Sequence, residues 1–214
     1  MTNLEFDTQF YIFYNNIASN AAPSVDLYEK SVFLTQAQRD IVLELYNGRG
    51  TPGISFESTE EVRRYLSNLV KTYDFNVDSL DTLIEIPSNL LFIIREEAIC
   101  GAPAQCLKGK TIDVVPSTHD NLNKELRNPF KGPSRTRVLR VDVEGKIKLY
   151  SKYKISNYKI TYLENPSPII LGDLGSELTI EGKSSESTSN VNPILHRAIL
   201  ERAVLLAKMA YIGK

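Results

Sequence analysis

The chain has 214 residues and a net charge of −1, with 42% apolar and 24% charged residues, ordinary values for a globular protein with a sizeable core. No window reaches the roughly 18 apolar residues that span a bilayer. The N-terminus also lacks the basic start and continuous apolar run of a signal peptide. The chain is therefore expected to fold in a cytoplasm, where Cys100 and Cys106 do not suggest a disulfide framework.

Phe6, Phe10, Phe13 and Ile17 recur at helical spacing and predict an opening helix, broken at Ala21-Ala22-Pro23-Ser24. A short helical turn runs through Leu27 and Tyr28. Thr35 with Gln38 has the spacing of a capping box and predicts a helix start, with Ile41, Val42 and Leu45 inward and Gly48 as the stop. Ser58 with Glu61 caps the next helix, whose Val62, Tyr65, Leu66 and Leu69 share a face.

From about Leu83 the period changes to that of strands. Ile84-Glu85-Ile86, Leu90 to Ile94 and Thr111 to Val115 read as strands, and Thr118 to Leu126 as a short helix. Thr136 to Val143, Lys146 to Tyr153 and Ile155 to Leu163 read as an antiparallel meander. In its first hairpin, a two-residue loop at Glu144-Gly145 pairs Leu139 with Tyr150 and mixes the faces. A three-residue loop, Val143 to Gly145, pairs Val141 with Ile147 and Leu139 with Leu149. It leaves Arg140, Asp142, Lys146, Lys148 and Tyr150 on the other face. Burial sets register, so the three-residue loop is the expected one. Gly172 to Asn192 is polar and reads as a loop or arm. Asn192-Pro193 then caps a closing helix to Ile212, apolar over a wider arc than one packing face needs.

The fold class expected is α+β, with N- and C-terminal helices packed beside a central antiparallel sheet or sandwich. The organisation is a single domain, 1–214. It comprises a helical arm (1–75), a β-rich insertion (83–171), a polar arm (172–192) and the closing helix (193–212).

Charge is unevenly placed. Lys124 to Lys159 holds eleven Lys and Arg against three acids, a net +8, and leaves −9 for the remainder. A basic strand region flanked by acidic arms suits either a polyanion or the acidic part of a neighbouring copy. Arg140, Lys146, Lys148, Tyr150, Lys152 and Lys154 are the candidates for an interface or a DNA-facing lumen. Ile199, Ala203 and Leu206 are the candidates for an oligomer or core helix.

Catalytic and ligand motifs are weaker. Gly48-Arg49-Gly50-Thr51-Pro52-Gly53 matches G-x-G-x-x-G but follows a helix, not a strand, and contains proline. Cys100, Cys106 and His119 fit none of the common zinc spacings. His119 and His196 have no nucleophile elbow near them in sequence. No enzyme activity, cofactor or metal is expected.

The closing segment Asn192-Pro193-Ile194-Leu195-His196-Arg197-Ala198-Ile199-Leu200-Glu201-Arg202-Ala203-Val204 resembles the closing helix of a family of virion proteins from crAss-like and related short-tailed phages of gut Bacteroidetes. Tyr14-Asn15-Asn16-Ile17, Tyr28 to Gln38, Phe92 to Glu97 and Tyr162 to Leu171 are similar in style. The resemblance implies a ring or head–tail adaptor protein, non-enzymatic, assembled in the host cytoplasm and carried in the virion. It implies a homo-oligomeric, twelvefold ring that joins portal to tail. Neighbouring tail or ring proteins would be partners, genomic double-stranded DNA would pass through the lumen in transient contact, and no membrane is involved. The reading of the residues alone leaves open a small nucleic-acid-binding module that uses the basic β face.

Overall fold

The computed structural model describes residues 1–17, 24–48, 56, 59–77, 83–101, 109–175 and 177–212. Among them are five α-helices and a seven-stranded sheet, an α+β protein. The chain forms two compact units: Met1–Leu69 with Asn165–Lys214, and Val70–Glu164.

In the helical unit, α1 (Asn3–Ile17) and α2 (Leu27–Asn47) both pack against α5 (His196–Ile212). The apolar periodicity of α1 buries Phe6, Phe10 and Tyr14. α5 buries Ile199, Leu200, Ala203, Val204 and Ala207 along one side. Arg202 Nη2 bonds both carboxylate oxygens of Glu44 at 3.0 and 2.8 Å and ties α5 to α2. α5 is entered through a 3₁₀ turn, Pro193–Leu195, whose Ile194 N–H donates to Asn192 Oδ1 at 3.1 Å. α3 (Glu60–Leu66) follows Thr59. The expected Ser58 cap, the Gly48–Gly53 loop beyond its first glycine, the Ala21–Pro23 break and the side chain of Ile17 lie outside the described residues.

The expected helix start at Thr35 is a correction. α2 runs unbroken from Leu27, and its cap is Asp26, which exchanges side-chain bonds with Glu29 in a capping box. Thr35 and Gln38 lie mid-helix and buried, where the backbone N–H groups already have helical partners. Their side chains turn outward to the segment that follows the sheet. Thr35 Oγ1 donates to Ile169 O (3.3 Å) and lies 3.1 Å from Ile169 N, which donates to it. Gln38 Nε2 donates to Ser167 O (2.7 Å), and Leu171 N–H donates to Ser31 Oγ (3.1 Å). Ser31, Thr35 and Gln38 recur at i, i+4, i+7, one helical face. That face serves Asn165–Leu171 as a neighbouring strand would.

The sheet unit has strand order β1-β7-β3-β4-β5-β6-β2. The strands are β1 (Val70–Asn76), β2 (Leu83–Glu85), β3 (Leu90–Cys100), β4 (Thr111–Pro116), β5 (Arg137–Val143), β6 (Lys146–Tyr150) and β7 (Ile155–Glu164). One face carries a single apolar cluster that includes Ile84, Ala98, Cys100, Ile112, Val138, Ile147, Leu149, Tyr158 and Ile160. α4 (His119–Arg127) lies between β4 and β5 in sequence.

Two expectations about the strands are overturned. β5, β6 and β7 do not form a meander: β7 pairs with β3 and β1, and the free side of β6 takes β2. The ten-residue β7 finds its partner in the eleven-residue β3, which offers a far longer ladder than β6 does. Second, the β5–β6 hairpin has the two-residue loop. Leu139 pairs with Tyr150, Val141 with Lys148 and Val143 with Lys146. Glu144 and Gly145 both take positive φ, 52° and 73°, the type I′ pattern whose twist matches the strands.

β5 does not have one solvated face, so burial does not select the three-residue loop. β4 and β5 pair in parallel, the one parallel pairing among the described strands, so their connection must cross a sheet face. That crossover is tied to β5 by His119 Nε2 to Asp142 O (2.8 Å), Ser117 N to Arg140 O (2.8 Å) and Arg137 Nη1 to the carbonyls of Phe130 and Lys131 (3.3 Å each). β5 thus buries Val138 on one face and Leu139 and Val141 on the other, as strands beside a crossover do.

The turn geometry has a measurable consequence. Glu144 is a non-glycine residue held left-handed, so Glu144→Asn should stabilise the protein by about 0.5–1 kcal/mol, whereas Gly145→Val should cost roughly 1–2 kcal/mol. Urea midpoints at constant m-value check both. A Glu144→Asn variant no more stable than the parent would count against the two-residue turn.

Candidate functional site

The basic block folds into two different environments. Lys146, Lys148 and Tyr150 alternate along β6 and share a face. The Lys148 ammonium stands 5.2 Å from the Tyr150 ring centroid, a cation–π distance. Lys146 Nζ meets Glu85 Oε1 of β2 at 3.1 Å. β6 ends at Tyr150, and Ser151–Lys154 form a bend in which Ser151 Oγ donates to Tyr153 O at 2.7 Å. Lys152 and Lys154 lie in that bend, so the alternation of lysines along β6 stops after Lys148.

Arg140 is the clearest departure. In the observed register it stands opposite Leu149, on the face of the apolar cluster and away from Lys146, Lys148 and Tyr150. Its side chain is 13% exposed, and its Nε lies 3.3 Å from Glu96 Oε1, itself on a 7% exposed side chain. The Nε–H has no hydrogen-bond acceptor, so this contact acts through charge more than through a directed bond. Arg140 Nη1 reaches Asp142 Oδ1 at 3.3 Å, and the buried Tyr158 hydroxyl donates to Glu96. Burial pushes the Glu96 carboxyl above its ordinary value, opposed by the Tyr158 hydrogen bond and by Arg140. Burial, and then the Glu96 charge, push the Tyr158 hydroxyl far above the usual phenol range. Arg140 is thus an internal counter-ion, not part of an outward cationic face.

The candidate helix residues also divide. Ile199 and Ala203 are core, both fully buried, while Leu206 is half-buried. Among the described residues, the exposed large apolar side chains of this segment are Ile194, Leu205 and Met209, with Leu4, Tyr11 and Ile12 outward on α1. Arg197 and Glu201 pair at 3.0 Å among them. His196 is buried, 3.2 Å from Val191 O through Nε2, with its ring against Phe6 at 5.3 Å. Burial lowers its pKa, as expected of a packed histidine.

The possible metal ligands do not converge. Cys100 is buried in the sheet cluster, His119 is exposed on α4, and Cys106 lies outside the described residues. Among the described residues no group of three or more His, Cys, Asp or Glu is placed to hold a metal ion.

Sequence reasoning missed Phe130, 90% exposed in the turn after α4. Its signal was an aromatic residue inside a turn-forming run, Asn128-Pro129-Phe130-Lys131-Gly132-Pro133, where nothing local can bury a ring.

The sequence matches, over residues 1–214, the family model described as phage tail ring protein 3/4. It is 44% identical to Ring protein 3 of Bacteroides phage crAss001, over 97% of this chain and 95% of that one. It is also 32% identical to Ring protein 4/5 of the same phage, over 98% and 93%. The sequence-based family resemblance is therefore borne out.

The placement of Arg140 predicts a cost unlike that of a surface cation. Arg140→Ala should destabilise by about 3 kcal/mol or more, because Glu96 is left buried without its counter-ion. The sign with pH follows from the raised Glu96 value. The folded state holds this proton more tightly than the unfolded chain, so the group is least unfavourable below its ordinary 4.5 and costs stability as pH rises through the folded value. The Arg140→Ala penalty should therefore shrink as pH is lowered, since a neutral carboxyl needs no guanidinium. Denaturant titrations of both proteins across that range check it; a penalty that does not change with pH would contradict the assignment.

Proposed function

The chain belongs to the phage tail ring protein family, and from that premise we propose that its copies close into a ring on the head-to-tail axis, joining portal to tail around the DNA passage. As a ring protein it is a structural component of the virion, and its relatives are named for structure, not catalysis. The proposed partners are further copies of this chain (twelve on the family resemblance), the portal, neighbouring tail or ring proteins and, transiently, the passing DNA.

The observation that carries this reading is the outward pair Leu205 and Met209 on α5, a helix whose opposite side is already buried, with Ile194 outward in the 3₁₀ turn before it. A folded chain that still presents such side chains is suited to association. Charge adds selectivity. The basic segment and the acidic remainder of the chain attract one another between copies, which favours a heterologous, head-to-tail contact over a self-complementary one. A lumen that passes DNA needs only weak, salt-screened contacts, and Lys148, Lys152 and Lys154 suit that use. A dedicated nucleic-acid module has less support: Arg140 is internal, Lys146 faces Glu85, and the lysine alternation ends with β6.

Leu205→Glu with Met209→Glu should leave the isolated chain's melting unchanged within about 0.5 kcal/mol yet abolish incorporation into tails, whereas Ala203→Asp should prevent folding. Reversing Lys146, Lys148, Lys152 and Lys154 to Glu should weaken assembly or DNA delivery in a salt-dependent manner. Electron microscopy of virions and genome-delivery assays read these outcomes. Normal tails from the Leu205 and Met209 double variant would remove the main support for this reading.

A further inference from the structure

Phe130 is the most exposed large apolar side chain among the described residues, yet the turn that carries it is firmly held. Its own N–H donates to Asn128 Oδ1 at 2.9 Å. The amides of Lys131 and Gly132 donate to Asn128 O at 3.2 and 2.8 Å. Arg137 Nη1 bonds the carbonyls of Phe130 and Lys131. A Cβ at position 132 would come within 2.9 Å of Asn128 O, so only glycine closes the turn this way. A ring held out by a stiff turn loses little entropy when it is buried by a partner, which is how an interface anchor works. It is set among cations: Lys124 to Arg137 contains five Lys and Arg against Glu125 alone.

The helical unit holds a cavity of the matching kind. It has a volume of about 320 Å³ and is lined by Phe10, Tyr11, Tyr14, Asn15, Val25 and Lys30, among others. Phe10 and Tyr14 are stacked, with centroids 6.1 Å apart. Its surroundings are acidic. α1 contains Glu5 and Asp7 and no Lys or Arg. Asp26 follows Val25 directly, and the charge of Glu29 reaches Tyr14. The cation in the lining, Lys30, is matched by Asp7 at 2.7 Å.

We propose that Phe130 of one copy seats in this aromatic cavity of the next copy, with Lys124, Arg127 and Lys131 facing Asp26 and the acids of α1. The occupant is a second copy of this chain because the same sequence supplies both halves, apolar ring to aromatic cavity and cationic rim to acidic rim. Two different patches that fit one another make a heterologous contact, the kind that repeats around a closed ring. The inference rests on the ring reading and names one contact within it.

The test uses phage that carry Phe130→Cys and Val25→Cys together. Virions are oxidised, denatured without reductant and resolved by mass. A ladder of covalent multiples of this chain, absent from either single variant, is the expected result. Virions with multiple copies of the chain but no ladder would overturn the contact and leave the ring reading standing. A bond from Phe130→Cys to a protein of different mass would also overturn it, and would assign the knob to another tail component. Parent virions in which the chain is absent or present once would refute the ring reading itself. In parallel, Phe130→Asp should keep the parent's melting temperature in the isolated chain but lower incorporation at least about tenfold, with Phe130→Tyr near the parent. Equal incorporation of all three would equally overturn the contact.

Discussion

The helical unit depends on how α2 satisfies a piece of extended backbone. Asn165–Leu171 contains two prolines, so its remaining amides must each find a partner if the segment is to be buried. Ser167 N–H goes to Asn190 Oδ1, Ile169 to Thr35, Ile170 to Ser187 and Leu171 to Ser31. Pro166 and Pro168 have no N–H to satisfy. The carbonyls of Ser167, Ile169 and Ile170 are also taken, by Gln38, by Thr35 and by both Asn3 and Ser187. With these backbone groups met, the segment can bury Ile169 and Ile170 completely. Gln38 reaches onward to Ser189 at 2.5 Å, so one helical face organises both the extended segment and the loop that leads to α5.

The sheet unit has a comparable constraint in the parallel pairing of β4 with β5. A parallel neighbour requires a crossover, and the crossover supplies a second cover for β5. That removes the usual rule of one wet face and allows β5 to bury Val138 on one face and Leu139 and Val141 on the other. It also places Arg140 on the apolar face, where it is tolerated only because Glu96, Asp142 and Tyr158 are arranged around it. The same crossover carries the Phe130 turn, so the feature that sets strand register also presents the anchor proposed for assembly.

These two arrangements bear on function through what they leave outward. α5 spends one side on α1 and α2 and still shows Leu205 and Met209. α1 adds Tyr11 and Ile12 near an aromatic cavity. Burial of such residues supplies attraction without direction, and the uneven charge supplies the direction. A ring needs both, because each copy must prefer the unlike patch of its neighbour over its own.

Local signals in the sequence determined much of this protein. The apolar period of α1, the stop at Gly48, the Asn192-Pro193 entry to α5, the helix at α4 and the positions of β5, β6 and β7 all follow from residue spacing and turn chemistry. So does the partition of charge. β1 was missed although Thr72 to Val77 alternates polar with apolar residues, because it follows directly on the helical period that runs to Leu69. What only the tertiary structure decided were the pairings. Thr35 and Gln38 carry the pattern of a cap, and only the arrival of a segment 130 residues later makes them its partners. Arg140 carries the pattern of a surface cation, and only Glu96 on a strand not adjacent to it makes it internal. The type I′ turn is written in Glu144-Gly145, yet choosing it required knowing that β5 is covered on both faces. Local spacing specifies an element because the interactions involved span a turn or two. Partner, face and register depend on groups far apart in sequence, whose meeting is settled by burial of the whole.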